Sequence, residues 1–222
     1  MVITYYGLEC FKIQFGDLVL ALNPLGKDSA YKAPKFGADI AFVSTAHHDM
    51  NGVESVSFGE RKPFVIQGPG EYELKGMTAR GFLTETEYWG EKPARTIDIV
   101  QSGGRNNTAY KISLEGMTLV FLGALSDAAL PPEVKSAFED VDILFVPVGG
   151  GGVLHAGDAH KLSVALEPKI IIPMHFGKEG SKELAQFLKE SGEKGAEPVE
   201  KLTLKKKDIE GKKGEVVVLQ IS

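Results

Sequence analysis

Three stretches of this sequence, Asp39 to Val43, Asp142 to Pro147 and Lys169 to Pro173, open on a charged residue and are apolar at every later position. A strand with one face in water alternates apolar and polar residues, so runs without alternation need cover on both faces. The first three apolar runs, Val2 to Tyr6, Cys10 to Phe15 and Leu18 to Leu22, are separated by Gly7 and Gly16 and end at the Asn23-Pro24 turn, which predicts an antiparallel meander. Further strands are expected at Phe64 to Gln67, Met77 to Gly81, Thr108 to Ser113, Thr118 to Leu122 and Glu215 to Ile221. Two helices follow from 3.6-residue spacing. Asp158 to Leu166 aligns Ala159, Leu162, Ala165 and Leu166, and Ser181 to Glu190 aligns Leu184, Phe187 and Leu188 after a serine N-cap. The second half therefore alternates strand and helix, which describes an α/β chain with helices packed on a sheet. The Asp39 and Asp142 runs also echo one another, each leading into a polar or Gly-rich turn.

At 222 residues the chain can bury roughly 70% of its unfolded surface, and one domain over 1–222 is expected. Net charge is −5, and the one short basic stretch, Lys205 to Lys207, sits beside Asp208 and Glu210. Charge gives no support to a nucleic-acid partner, which would call for a basic stripe. Cys10 is the single cysteine and lies in an apolar run, which reads as a small buried hydrophobe. No stretch approaches about 18 apolar residues, and Val2 to Tyr6 follows the first residue without a basic leader, so no membrane association and a cytoplasmic location are expected. Gly192 to Pro198 reads as an ordinary loop, and Trp89 lies in a charged loop, Glu85 to Lys92.

Of five histidines, His47 and His48 are adjacent in Thr45-Ala46-His47-His48-Asp49, directly after a buried strand, and His175 ends another. Imidazole and carboxylate groups at strand ends can converge on one ion, with zinc suited to such nitrogen and oxygen donors. The same residues admit a structural reading in which His47 and Asp49 bond each other and cap the loop while a backbone carbonyl satisfies His175. His155 follows Gly149 to Gly152, whose backbone permits close approach of a ligand. His160 falls on the polar side of its helix, and Glu71 lies in a Pro-Gly turn with no catalytic role expected.

An ordered set of landmarks spans nearly the whole chain: Ile3-Thr4-Tyr5-Tyr6-Gly7, Asn23-Pro24, Ala38 to Val43 before the histidines, Gly68-Pro69-Gly70-Glu71-Tyr72, Asn107-Thr108-Ala109-Tyr110, Leu122-Gly123, Asp142 to Gly150, and Pro168 to His175. Together they resemble the metallo-beta-lactamase superfamily, in particular its branch similar to ascorbate-6-phosphate lactonases. The resemblance implies an αββα sandwich of two mixed sheets with helices on the outer faces and an active site along one sheet edge. The departures from the family are equally specific. Its H-x-H-x-D-H signature reads here Thr45-Ala46-His47-His48-Asp49-Met50, its bridging aspartate after Leu-Gly is Ala124, and no histidine lies between His48 and His155. Leu8 stands where the family has histidine, and Asn23 where aspartate is frequent.

Three remaining ligands, His47, Asp49 and His175, suit at most one ion, zinc or manganese, because paired ions need shared anionic ligands to offset their repulsion. An ion there would lower the pKa of its water toward about 7 for attack on an ester, lactone, amide or phosphodiester, with Asp49 as ligand and proton acceptor and His155 as a substrate contact. The competing expectation is a non-catalytic protein that binds a small molecule or a partner in the old cleft. A metal-free nucleophile is not supported, since Gly-x-Ser-x-Gly and P-loop patterns are absent, and the four glycines at 149–152 do not have dinucleotide-binding spacing.

Overall fold

The apolar N-terminal runs pair as a meander. In the computed structural model, which describes residues 1–89, 105–177 and 181–222, β1 (Val2–Tyr5), β2 (Phe11–Phe15) and β3 (Leu18–Leu22) are antiparallel in sequence order. β4 (Ile40–Val43) then joins β3 in parallel, and β5 (Phe64–Gln67) joins β4 in parallel. The second sheet repeats the plan. β6 (Gly70–Leu74), β7 (Met77–Thr86), β8 (Arg105–Leu114) and β9 (Met117–Phe121) form a meander, and β10 (Ile143–Pro147), β11 (Ile170–Met174) and β13 (Glu215–Val216) continue it in parallel. β12 (Leu202–Thr203) returns to the first sheet beside β1.

The echo between the Asp39 and Asp142 runs has a physical basis. Both aspartates stand at the entry of the first parallel strand of their sheet and bond the preceding meander strand in the same way. The Asp39 carboxylate accepts from Val19 N at 2.9 Å while Asp39 N donates to Val19 O; the Asp142 carboxylate accepts from Thr118 N at 2.8 Å while Asp142 N donates to Thr118 O. Each carboxylate is also met by lysine, Asp39 by Lys75 and Asp142 by Lys169 and Lys206. A backbone N–H at the edge of a buried strand needs a partner, and the aspartate supplies it.

The inner faces of the two sheets meet through aromatic pairs. Phe11 stacks on Tyr5 at 4.7 Å and meets Phe145 edge-on at 4.9 Å, and Phe42 meets Tyr110 at 5.2 Å. The hydroxyl of Tyr110 donates to Val43 O and accepts from Gly68 N, pinning the second sheet to the C-terminal ends of β4 and β5. Outer cover differs between the sheets. α1 (Pro132–Ala137), α2 (Ala156–Leu166) and α3 (Lys182–Glu190) lie on the second sheet's side, with Phe138 against Phe82 at 5.2 Å and the Ser181 cap on α3 accepting from Leu184 N as expected. On the first sheet, Val19, Ala21 and Ala41 are covered by the 3-10 turn Val53–Val56. The architecture is the expected pair of facing mixed sheets, with a thinner outer layer on the first.

Several boundaries differ from expectation. β7 runs through Gly81 to Thr86, because Gly81 is a close-approach position and not a stop: a Cβ there would lie 2.7 Å from Gly68 O. Glu71 is in strand β6, exposed and 3.6 Å from Arg80, and not in a turn. Of the stretch around Trp89, Glu85 and Thr86 are strand, and 90–92 lie outside the described residues. β13 ends at Val216, after which the chain makes single bridges, Leu219 to Val199 and Ile221 to Tyr5. Among the described residues no helix is long and apolar enough to cross a membrane.

Asp142 is 1% exposed. Burial by itself would raise its pKa, but hydrogen bonds from Lys169, Lys206 and Thr118 N outweigh it and hold the carboxyl below its ordinary value. Asp142→Asn is expected to cost about 2 kcal/mol, less than the roughly 3–5 kcal/mol of a fully buried broken pair because both ammonium groups are partly in water. A depressed carboxyl contributes fully above its unfolded pKa and loses that contribution as pH falls through the folded value. The melting temperatures of the two proteins should therefore differ at pH 7 and converge as pH falls below about 4.

Candidate functional site

The C-terminal ends of the parallel strands converge between the sheets, where ligands bind in open α/β structures. β4 feeds the segment Ser44 to Asn51, β9 feeds Leu122 to Leu125, β10 feeds Val148 to Val153, and β11 ends at His175. Gly123 lets two of these segments touch, since a Cβ there would fall 2.5 Å from Ser44 Cβ. Two amides brace the floor. Asn23 accepts from Ser44 N and donates to Ser44 Oγ, both at 2.8 Å, and Asn107 accepts from Ala124 N and donates to Leu122 O.

His47, His48 and Asp49 bring their ligand atoms within 4.8 Å of one another. His47 and Asp49 are buried and His48 is exposed. The backbone N–H of Asp49 donates to His47 Nδ1 at 3.2 Å, so that nitrogen presents its lone pair, and the ring also hydrogen-bonds the Trp89 backbone. The 3.4 Å between Nδ1 and Asp49 Oδ2 is therefore not an ion pair. Burial first, and then the neighbouring His48 and Arg105, hold the His47 pKa below its ordinary value, against the pull of Asp49. His47 and Asp49 do bond each other and close the loop, through backbone to ring and not ring to carboxylate.

His175 is not in this group. It ends β11 in the left-handed region, φ 58°, its N–H donates to Leu8 O at 2.7 Å, and its Nδ1 lies 2.6 Å from Glu9 Oε1. Glu9 is 0% exposed, and its other oxygen reaches Asn23 Nδ2 at 3.4 Å. A carboxylate and not a backbone carbonyl satisfies His175. The sequence carried a signal for this residue, a lone acid between Leu8 and Cys10 in an otherwise apolar run.

Tyr88 stands between the two parts. Its ring meets His175 edge-on at 4.7 Å and His47 at 5.3 Å, and its hydroxyl donates to Asp49 Oδ2 at 2.8 Å. It packs with Met50, Ala124 and Val153 in an apolar cluster. Met50 and Ala124 are the positions where the resemblance expects histidine and bridging aspartate, and here both are apolar and pack on the phenol ring. In sequence Tyr88 showed only as part of an aromatic pair with Trp89 after Glu85 to Glu87.

These residues do not fit a two-ion centre. For one ion the donor set is partial: Asp49 Oδ1 is buried without a hydrogen-bond partner and lies 3.7 Å from His48 Nε2, while His47 Nδ1 is already engaged and His175, with Nδ1 on Glu9 and only Nε2 to offer, lies outside that group. His155 is exposed at the N-cap of α2, its backbone paired with Gly149, and lies outside the His47, His48 and Asp49 group. His160 is half-buried between α2 and α3, with Nδ1 3.3 Å from Ser191 Oγ and its ring facing Phe187, and is not a free surface residue. Cys10 is buried, and that burial pushes its thiol pKa up to about 12, far from a nucleophile.

Tyr88→Phe is expected to destabilise the protein by about 1–3 kcal/mol, because it strips the hydrogen-bond donor from Asp49 Oδ2. Tyr88→Ala should cost about 3–5 kcal/mol by adding a cavity. Urea unfolding measures both, and a Tyr88→Phe midpoint equal to that of the parent would show that the hydroxyl bond contributes nothing.

The family described as Beta-lactamase superfamily domain matches residues 2–175. A protein of Carboxydothermus hydrogenoformans described as a metal-dependent hydrolase is 26% identical over 204 residues, covering 79% of this chain and 84% of its own. A similarly described protein of Thermococcus kodakarensis is 24% identical over 192 residues, covering 78% and 84%. Among solved structures, a Thermotoga maritima protein described as a Zn-dependent hydrolase of the metallo-beta-lactamase superfamily superposes with a TM-score of 0.75 at 25% identity, covering 100% of this chain and 99% of that one. With the family match spanning both sheets and the strand ends around His47, Asp49 and His175, this chain belongs to the metallo-beta-lactamase superfamily.

Proposed function

We propose that this chain keeps the scaffold of the metal-dependent hydrolases it is similar to and uses the cleft to bind a small molecule, without hydrolysing it. One observation carries the reading: Tyr88 lies between His47 and His175 with its hydroxyl on Asp49, walled by Met50, Ala124 and Val153. Catalysis by the family's chemistry needs converging ligands with an open position for the attacking water. Here His175, its Nδ1 held by Glu9, lies outside the His47, His48 and Asp49 group, and the Tyr88 ring stands between them. Asp49 then serves as the acceptor that orients Tyr88.

A second reading is favoured by one atom. Asp49 Oδ1 is buried and unpartnered, a costly state for a carboxylate oxygen that a single divalent cation would relieve. His47, His48 and Asp49 would hold such an ion, zinc or manganese, and bound there it would supply Lewis acidity toward an ester, lactone, amide or phosphodiester. The relatives described as metal-dependent hydrolases support this reading.

Metal content separates the two. Protein purified without a histidine tag, incubated with zinc or manganese and desalted, is expected to hold only background metal and to melt at the same temperature with and without chelator. About one equivalent retained, and lost in His47→Ala, would replace the binding reading with the single-ion hydrolase. The combined substitutions Thr45→His, Met50→His, Ala124→Asp and Tyr88→Ala are expected to create metal affinity by returning ligands and room together. Elemental analysis of that variant checks it.

A further inference from the structure

Beside the filled cleft lies an open cavity of about 570 Å³ at the C-terminal ends of β4 and β5, bounded on its other side by β7 and β8. Its polar wall is made by Ser44, Thr45, Gln67, Arg105, Asn106 and Thr108. Thr45 is the position where the resemblance expects the first histidine of the ligand signature, so the loss of that ligand lines this cavity with a hydroxyl. Among the described residues no acidic residue and no other cation lines it, and Arg105 is the one charged group.

Arg105 is held for use. It is the first residue of β8, paired across the ladder with Thr86, and its guanidinium lies 4.1 Å over the ring of Trp89. Among the described residues it has no carboxylate partner, in a chain of net charge −5. Stacking on an aromatic face fixes the plane of a guanidinium and leaves its N–H edge free, the geometry that takes a carboxylate or phosphate through two parallel bonds. Among the described residues the Thr45 hydroxyl and the Gln67 and Asn106 amides have no hydrogen-bond partner, so further donors stand around the same space.

We propose that this cavity binds a small oxyanion, the carboxylate or phosphate group of a low-molecular-weight metabolite, with Arg105 as its anchor and Thr45, Gln67 and Asn106 as further donors. The inference rests on the binding reading above and narrows it to an anionic ligand. Trp89 is the only tryptophan in the chain and lies on Arg105, so its emission reports occupancy directly.

The experiment titrates the intact protein with inorganic phosphate, glycerol 3-phosphate and malonate at ionic strength held constant with chloride, with glycerol as the neutral control. A saturable change in Trp89 emission is expected in the millimolar range or tighter with at least one anion and not with glycerol. Preference for the two phosphates or for malonate identifies which oxyanion the cavity takes. Arg105→Gln should weaken binding at least tenfold by calorimetry, and Arg105→Lys should recover only part of it, since lysine keeps the charge without the fork. Equal thermal stability of the variants and parent excludes a folding effect, and amide chemical shifts replace calorimetry for a variant that is less stable. No saturable response to any of the three anions, or an undiminished one in Arg105→Gln, would overturn the inference. Retention of one equivalent of metal with hydrolysis of an anionic ester would overturn the non-hydrolytic reading and leave the anion site standing.

Discussion

Strands that are apolar on both faces cannot lie against water on either side, and this requirement organises the molecule. β4, β10 and β11 are buried at every position. Each therefore needs an inner partner sheet and an outer cover. The inner need is met once for both sheets, by Tyr5, Phe11, Phe42, Tyr110 and Phe145 across the interface. The outer need is met unequally. Ile170 to Met174 and Ile143 to Pro147 lie behind helices, whereas the small residues Ala21 and Ala41 of the first sheet accept a single 3-10 turn. The strand ends then fall at one rim of the sandwich, where polar side chains gather.

The side chains gathered at the strand ends behave as a set. A buried charge or a large buried side chain cannot be removed singly without leaving an unpaired charge or a void. Met50 and Ala124 supply apolar volume, Tyr88 takes the space between, and its hydroxyl donates to Asp49 Oδ2. Glu9 gives His175 Nδ1 a carboxylate partner at 2.6 Å. His47, Asp49 and His175 each have a protein partner.

Much of the fold was legible because its signals are local. The Asp-headed runs named the central parallel strands, the Ser181 cap named α3, and Asn23-Pro24 ended the meander. The repeat between Asp39 and Asp142 was visible as a pattern, but its cause, a carboxylate bonding Val19 N or Thr118 N on a neighbouring strand, exists only once strands pair. The site was half legible for the same reason. His47 and Asp49 are two residues apart and their contact is dictated by the turn. Tyr88 reaches Asp49 across 39 residues, and Glu9 reaches His175 across 166, so no periodicity or spacing could join them. Gly81 misled because a glycine within a strand marks a close neighbour as readily as a stop, and that neighbour, Gly68 O, belongs to another segment.

That separation also sets when the site can exist. Closing a loop of such length costs chain entropy before any contact rewards it, and topologies dominated by distant pairings fold slowly. The hairpins of both meanders can form early from neighbouring residues, while the His175 N–H to Leu8 O bond must wait until the two sheets have docked. During that interval Glu9 and Asp49 are solvated carboxylates with no partner to desolvate them. The cleft is thus the last part of the molecule to be built, and its polar pairs reward only a chain whose two halves have already found each other.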